Sequence, residues 1–97
     1  MAKHGGEGPA RLIQARRAYY PTSALLEGVT GIVQVAMSVD PHGMVRQAIV
    51  VRSSGDKRLD AAAYCAAMAW RYRPARRGGQ PLPSVDQAEF RFLPASE

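Results

Sequence analysis

An alternating stretch that ends in a tight turn constrains the fold of this chain more than any other feature. Residues 31–40 read GIVQVAMSVD, and every second side chain is apolar: Val33, Val35, Met37 and Val39. A period of two is typical of a strand with one buried face. Asp40-Pro41-His42-Gly43 is a strong turn sequence, so residues 44–54 are expected to return as the second strand of a hairpin.

The alternation is interrupted inside that second strand. Val45 and Val50 cannot share a face at a strict period of two. We therefore expect either a β-bulge near residues 46–48 or a strand whose two faces are both partly covered.

A helix follows the hairpin. Residues 57–72 are rich in alanine, and we expect Asp56 or a neighbouring serine to cap the helix that they form. Pro74 would end this helix, and residues 76–83 would form a loop. The side chains expected to point inward at helical spacing are Leu59, Ala62, Ala63, Ala66, Ala69 and Trp70.

A third strand and a short first helix complete the predicted domain. In AEFRFL, residues 88–93, apolar Ala88, Phe90 and Phe92 alternate with Glu89 and Arg91. A short helix at residues 23–26, capped by Thr22 or Ser23, precedes the hairpin. A right-handed crossover then places the second and third strands on either side of the first. The predicted fold class is α+β: a three-stranded antiparallel sheet, order 2-1-3, with a short N-terminal helix and one longer helix packed on one face.

The beginning of the chain lacks this regularity. MAKHGGEGPA is glycine-rich and is expected to be flexible, and residues 11–20 would form a short helix or simply pack across the domain. We therefore expect a flexible leader or linker end at residues 1–17 and the folded domain at residues 18–97.

Composition excludes several classes of protein. A chain of 97 residues that is 46% hydrophobic and 22% charged is typical of one globular domain. Cys65 is the only cysteine and is expected to be a small buried helix residue, and neither histidine lies at metal-ligand spacing from it. No nucleophile with a nearby base and no phosphate loop occurs, so the sequence predicts no enzyme, no metal and no cofactor.

The stretch WRYRPARRGG, residues 70–79, contributes much of the net charge of +5. Such a charge allows binding to nucleic acid, anionic lipid or an acidic protein surface. Nucleic-acid binding needs exposed aromatic side chains for stacking, whereas we expect Trp70 and Tyr72 to point into the core. The arginines are therefore predicted to be solvated, and a small nucleic-acid-binding domain is only the weaker alternative.

Several motifs of one family occur here in order. They are Tyr20-Pro21, Gly31 before the alternating strand, Asp40-Pro41-His42-Gly43, Ser53-Ser54-Gly55, Leu59-Asp60 and Trp70-Arg71-Tyr72-Arg73-Pro74-Ala75. Together they resemble the C-terminal domain of TonB, the periplasmic energy transducer of Gram-negative bacteria, from about residue 18 to residue 93. The chain departs from the family at Ser23, where the best-known TonB has an arginine that contacts the transporter.

The resemblance implies a non-enzymatic periplasmic domain that binds outer-membrane transporters. The parent protein would be anchored in the inner membrane, work with an ExbB/ExbD-type motor complex and support uptake of siderophores, haem or similar nutrients. A transporter segment, the TonB box, would pair with the edge of the last strand, close to the segment before Tyr20-Pro21. The implied partner-binding residues are Val85, Asp86, Gln87, Ala88, Glu89, Phe90, Arg91 and Phe92, with Arg16, Arg17 and Tyr19. Homodimerisation is an alternative use of the same edge, and a TolA-like protein-interaction role in the cell envelope is an alternative function of the domain.

Overall fold

The computed structural model describes residues 7–93. Residues 1–6 of the expected leader and residues 94–97 of the expected domain lie outside this range, and the expected boundary between residues 17 and 18 stays a prediction. The elements in chain order are β1 (Arg11–Gln14), α1 (Thr22–Leu26), β2 (Gly31–Val39), β3 (Val45–Arg52), α2 (Lys57–Met68), β4 (Arg71–Arg73), β5 (Ala75–Arg77), β6 (Gln80–Leu82) and β7 (Ser84–Phe92).

The central sheet has the predicted topology. Strands β3, β2 and β7 form an antiparallel sheet in the order β3-β2-β7, which confirms the predicted order 2-1-3. The four predicted apolar side chains of β2 are buried. They pack with α2, which lies over β2 and β3 on the inner face of the sheet. The α+β fold class is therefore confirmed.

The β2–β3 hairpin carries the predicted bulge and a second one. Gln47 pairs with Ser38 and Val45 pairs with Val39, so Arg46 is an extra residue on β3. A second register shift leaves Val51 as an extra residue near the other end of the strand. Each extra residue adds to the local twist and interrupts the regular ladder.

The turn between β2 and β3 is fixed on both sides. The Asp40 carboxylate accepts hydrogen bonds from the N–H groups of His42 (2.8 Å) and Met44 (3.0 Å). Gly43 has φ +87°, and its carbonyl accepts a hydrogen bond from the Tyr72 N–H at 2.8 Å. A Cβ at residue 43 would lie 1.9 Å from the Tyr72 carbonyl oxygen. Glycine is therefore required both by the backbone angle and by this close approach.

Helix α2 begins as predicted. Asp56 is its N-cap and accepts a hydrogen bond from the Arg58 N–H. The Asp60 carboxylate in the first turn accepts hydrogen bonds from the N–H (2.9 Å) and hydroxyl (2.7 Å) of Ser54 and from the hydroxyl of Ser53. These contacts join the end of β3 to the start of the helix.

The predicted end of α2 was wrong. The helix ends at Met68 rather than near residue 72, because the N–H groups of Ala69 and Trp70 bond to carbonyls only three residues back and the chain then pairs with β1 as β4. The buried helix residues are Leu59, Ala63, Ala66 and Ala67. Ala62 and Ala69 are half-buried and Cys65 is exposed, because alanines occur on all sides of this helix and the sequence does not define a narrow apolar stripe.

The first helix starts at Thr22, but neither predicted cap operates. Pro21 is the N-cap residue and makes no side-chain capping bond. The Ser23 hydroxyl instead accepts a hydrogen bond from the Arg58 guanidinium at 3.1 Å. Arg58 also pairs with Glu27 at 3.0 Å and Asp56 at 2.8 Å, and so links the two helices.

Two segments that were not expected to form strands do so. The expected loop at residues 76–83 lies mostly in the β5–β6 hairpin, which has Gly78 (φ +58°) and Gly79 (φ +83°) as its two turn residues. Two glycines at positive φ are typical of the turn that matches the twist of a two-residue hairpin. Residues 11–14 form β1, which packs across the domain in antiparallel pairing with β4.

Candidate functional site

The central sheet has two outer strands, and they differ in regularity. Strand β7 pairs with β2 over nine consecutive residue pairs, from Gly31↔Phe92 to Val39↔Ser84, without a register shift. Strand β3 carries two bulges. Bulges are a common means of blocking pairing at an exposed sheet edge. Among the described residues, β7 is therefore the regular outer strand of this sheet.

The phase of the ladder determines which backbone groups of β7 face outward. The Asp40 N–H donates to the Met44 carbonyl at 2.9 Å, so Asp40 points towards β3. Backbone groups alternate in direction along a strand, so odd-numbered residues of β2 point towards β7. Their partners on β7 are even-numbered, as in Val33↔Phe90. The backbone groups of β7 that face away from β2 therefore belong to Val85, Gln87, Glu89 and Arg91.

The eight predicted binding residues of β7 thus fall into two sets. Asp86, Ala88, Phe90 and Phe92 direct their side chains to the inner face, where the last three are buried. The Asp86 carboxylate accepts a hydrogen bond from the Tyr72 hydroxyl at 2.6 Å. The remaining four residues carry exposed side chains on the other face, and only these four present backbone donors and acceptors at the open edge.

Aromatic side chains support β7 from the inner face. The ring centroids of Trp70 and Phe90 lie 5.6 Å apart, and those of Tyr20 and Phe92 lie 5.4 Å apart with nearly perpendicular planes. The Tyr20 hydroxyl also donates to the Val29 carbonyl. Edge-to-face and tilted aromatic pairs stabilise packing beyond their buried area, so the second half of β7 is firmly positioned.

A groove of about 570 Å³ lies beside the second half of β7. Residues 89–91 form one wall and residues 15–18 form the other, with Tyr20 and Trp70 also lining the groove. The Trp70 indole N–H donates to the Arg16 carbonyl at 2.9 Å. This hydrogen bond holds the N-terminal segment beside the sheet edge across 54 residues of sequence.

The structure therefore brings only part of the predicted N-terminal set to β7. Arg16 and Arg17 line both the groove beside β7 and a second groove over α2, whereas Tyr19 is 85% exposed and lines only the second. Trp70 packs against the core only in part, which corrects the prediction that it points into the core from a helix end, whereas Tyr72 is buried as predicted. No local pattern in the sequence indicates the groove, because its lining residues are distant in sequence and are brought together by contacts such as that between Trp70 and Arg16.

Four of the residues that line the groove beside β7 are charged: Arg16, Arg17, Glu89 and Arg91. Arg91 pairs with Glu89 at 2.9 Å on the exposed face of β7.

Burial of Tyr72, reinforced by its hydrogen bond to Asp86, raises the pKa of this phenol well above its usual range. Tyr72 therefore stays neutral and keeps donating to Asp86 throughout the physiological pH range.

Residues 7–93 contain no group of three or more His, Cys, Asp or Glu side chains that could hold a metal ion. Neither helix in this part of the chain is long and apolar enough to span a bilayer.

The fold and the edge define the class of protein. It is a small α+β domain with two helices on one face of a three-stranded antiparallel sheet and one regular, open edge strand. Residues 16–93 match the family described as Gram-negative bacterial TonB protein C-terminal, and the chain belongs to this family. The solution NMR structure of the Pseudomonas aeruginosa TonB C-terminal domain is similar, with a TM-score of 0.76 and 21% identity over 94% of this chain and 92% of that chain. No curated protein matches the sequence.

Proposed function

We propose that this chain is the periplasmic C-terminal domain of a TonB-like energy transducer. In this proposal the open edge of β7 binds the TonB box of an outer-membrane transporter, which adds to the sheet as a further strand. Strand addition obtains its affinity from main-chain hydrogen bonds and its specificity from the side chains that alternate beside them. Family membership supports this role.

The observation that carries the proposal is the uninterrupted edge. Four residues of β7, Val85, Gln87, Glu89 and Arg91, direct their N–H and carbonyl groups away from β2, and no bulge interrupts them. An extended peptide can therefore pair along the whole strand. On β3 a peptide would meet a bulge near either end of the ladder.

The groove beside residues 89–91 supports the same assignment. A peptide that pairs with the second half of β7 would lie between the strand and residues 15–18, next to Trp70. Along Val85 and Gln87 the peptide would have the sheet on one side only. We therefore propose Arg16 and Arg17 as partner-facing residues, and we assign no such contact to Tyr19.

The expected affinity is modest. Each main-chain hydrogen bond contributes about 1 kcal/mol net, and association costs at least about 4 kcal/mol in lost freedom of motion. A few such bonds with some side-chain burial give a reversible complex. This suits a domain that must bind a transporter, transmit force and release it.

The remaining parts of the proposal concern the parent protein. We propose that it is anchored in the inner membrane, is driven by an ExbB/ExbD-type motor complex and serves uptake of siderophores, haem or similar nutrients. The domain itself would act by binding alone, with no catalysis and no cofactor.

A titration of isotope-labelled domain with TonB-box peptides tests the proposal. We expect amide shift changes to concentrate on residues 85–91 and on residues 15–18. Gln87→Pro and Glu89→Pro each remove an outward N–H without removing a bond to β2, so these variants should fold and lose binding at least tenfold. The matched variants Gln87→Ala and Glu89→Gln keep the N–H and should bind within about threefold of the unmodified domain.

Two results would contradict the assignment. Shift changes confined to residues 45–52 would place the site on β3. Concentration-dependent shifts of the β7 amides without peptide, together with sedimentation as a dimer, would assign the edge to a second copy of the chain.

A further inference from the structure

We propose that the groove beside β7 selects one apolar side chain of the added peptide, at the position opposite Phe90. This preference rests on the proposed function, since it requires a peptide that pairs with β7. Main-chain pairing supplies affinity, and pockets for alternate side chains supply specificity. The groove is lined on β7 only by residues 89–91, so we expect no comparable preference at the peptide position beside residues 85–87.

The register of β7 determines which peptide side chain meets the groove. Phe90 pairs with Val33 of β2 and directs its side chain to the inner face, where it is buried. Residues directly opposite each other on neighbouring strands carry their side chains on the same face, so the peptide residue opposite Phe90 also points inward. Because the backbone groups of Phe90 face β2, an antiparallel peptide would form a non-hydrogen-bonded pair there, in which side chains lie closest.

Residues 15–18 cover the inner face of the added strand. Helix α2 packs over β2 and β3 and hardly touches β7. Beside β7 the inner layer is formed instead by Trp70, which packs on Phe90, and by Tyr20, which packs on Phe92. Residues 15–18 precede Tyr20 and are bonded to Trp70 through the Arg16 carbonyl. The groove of about 570 Å³ between them and β7 therefore lies where the inward side chain would enter.

The aromatic wall of the groove favours an apolar side chain. The indole N–H of Trp70 already donates to the Arg16 carbonyl at 2.9 Å, and the Tyr20 hydroxyl already donates to the Val29 carbonyl. Neither ring therefore has a free donor to offer. A polar peptide side chain would lose hydration without gaining a hydrogen bond from these donors, whereas an apolar one is stabilised by burial.

The charged lining residues are a weaker influence. Glu89 and Arg91 carry their side chains on the opposite face of β7 and pair with each other at 2.9 Å. Arg16 and Arg17 are exposed, and an ion pair with an exposed arginine raises affinity by less than about fivefold. Burial of a branched aliphatic side chain raises affinity by about tenfold or more. An apolar residue should therefore bind the groove more tightly than an acidic one.

The test uses a TonB-box peptide that binds the unmodified chain. Nuclear Overhauser contacts from peptide side chains to the rings of Phe90 and Trp70 identify the residue in the groove. That residue is replaced in turn by valine, alanine, serine and aspartate, and dissociation constants are measured by fluorescence anisotropy. We expect valine to bind at least about tenfold more tightly than serine or aspartate. The same replacements at the inward-pointing peptide residue beside residues 85–87 are the control and should differ by less than about threefold.

A variant that fills the groove tests its location. Ala15 lines the groove, is exposed and lies between β1 and α1. Ala15→Leu should weaken the valine peptide about tenfold through overpacking, and the alanine peptide by less than about threefold. Ala61→Leu is the matched control, because Ala61 is an exposed alanine of α2 that does not line this groove. It should leave both affinities unchanged.

A second variant tests the role of Trp70. Trp70→Phe keeps a ring beside Phe90 and removes the donor to the Arg16 carbonyl. We expect the preference for valine over serine to fall to about threefold. If Trp70 only stabilised the fold, all peptides would weaken together and this ratio would not change.

Three outcomes would overturn the inference. Equal binding of the valine and serine peptides, with amide shift changes still on residues 85–91, would remove the selective position and leave the proposed function intact. Tightest binding of the aspartate peptide would assign the groove to an acidic side chain held by Arg16 and Arg17. Shift changes confined to other parts of the chain would contradict both this selectivity and the proposed function.

Discussion

The two outer strands of the central sheet have the same partner and opposite properties. Strand β3 is interrupted by Arg46 and Val51, and α2 packs across its inner face. Strand β7 is regular over nine residues, and aromatic side chains rather than α2 cover the inner face of its second half. An unprotected edge strand is a liability in a soluble domain. One edge is interrupted by bulges and the other is not, and the proposed pairing of β7 with a partner requires such a regular edge.

The largest expected effect comes from a change that destabilises the whole central sheet, and with it both outer strands. Gly43→Ala would place a Cβ 1.9 Å from the Tyr72 carbonyl oxygen at φ +87°. Strain of this kind costs about 1–3 kcal/mol from the backbone angle alone, and relief of the clash would also break the hydrogen bond from Tyr72 to Gly43. We expect a loss of at least about 3 kcal/mol in the free energy of unfolding, measured by urea denaturation.

Gly55→Ala is the matched control for this change. Gly55 has a similar φ of +96°, but a Cβ there would meet nothing within 4 Å. We expect a loss of only about 1 kcal/mol, from backbone strain. Equal losses in the two variants would show that the contact between the turn and β4 does not stabilise the sheet.

An intermediate effect should follow from making β3 regular. Deletion of Arg46 and Val51 removes the two extra residues. The remaining pairs, such as Val45↔Val39 and Val50↔Val35, are kept, and their side chains stay on the same face of the sheet. We expect the double deletion to cost about 1–2 kcal/mol and to promote self-association through β3. Analytical ultracentrifugation of the deletion variant and the unmodified chain measures this.

The converse change completes the comparison of the edges. Insertion of one alanine between Gln87 and Ala88 should introduce a bulge into β7 and weaken binding of TonB-box peptides. If the deletion variant stays monomeric at millimolar concentration, the bulges are not what protects β3.

The smallest effect concerns pH. The hydrogen bond from the Arg58 side chain is the largest cause that lowers the pKa of Asp56, to about 2. Because this pKa is below its unfolded value, the interaction stabilises the fold above pH 4, and the stabilisation is lost as pH falls towards 2. Asp56→Asn keeps a helix cap without the charge, so stability should depend less on pH in this range.

The same acid titration distinguishes the two edges. Since α2 covers β3 and hardly touches β7, loosening its first turn should reduce amide exchange protection in β3 more than in β7. Hydrogen exchange at pH 2.5 and pH 5 measures this difference. Equal changes in the two strands would show that the cap acts on the domain as a whole.

The Arg46 bulge and the Asp56 cap could be predicted because each depends on residues close in sequence. The sheet order could be predicted although β2 and β7 are distant in sequence, because a right-handed crossover leaves few arrangements of three strands. Alternation of apolar and polar residues predicts β2, and the interruption of the alternation after Val45 in β3 indicates the bulge. The β1–β4 pair could not be predicted, since it joins Arg11 to Arg73 and neither segment shows a strong period by itself. Helix propensity of residues 69–72 was overridden by this pairing.

The candidate site was less accessible to sequence reasoning than the fold. The alternation of β7 separates inward from outward side chains, but it does not show which N–H groups are free. The direction of these N–H groups follows from the hydrogen bond between Asp40 and Met44, which lies just after the end of β2. The groove is bordered by residues distant in sequence, which contacts such as Trp70 with Arg16 and Tyr20 with Phe92 bring together, and no local pattern indicates such contacts.

The β2–β7 ladder also has a consequence for how the domain folds. It joins Gly31 to Phe92, and contacts between residues so distant in sequence slow the folding of small domains to milliseconds or longer. The β2–β3 hairpin is local in sequence and can form early, but β2 keeps one unpaired side until residues 84–92 have paired with it. The edge proposed to receive a transporter is therefore completed last, and until then it is β2 that is open to incorrect pairing.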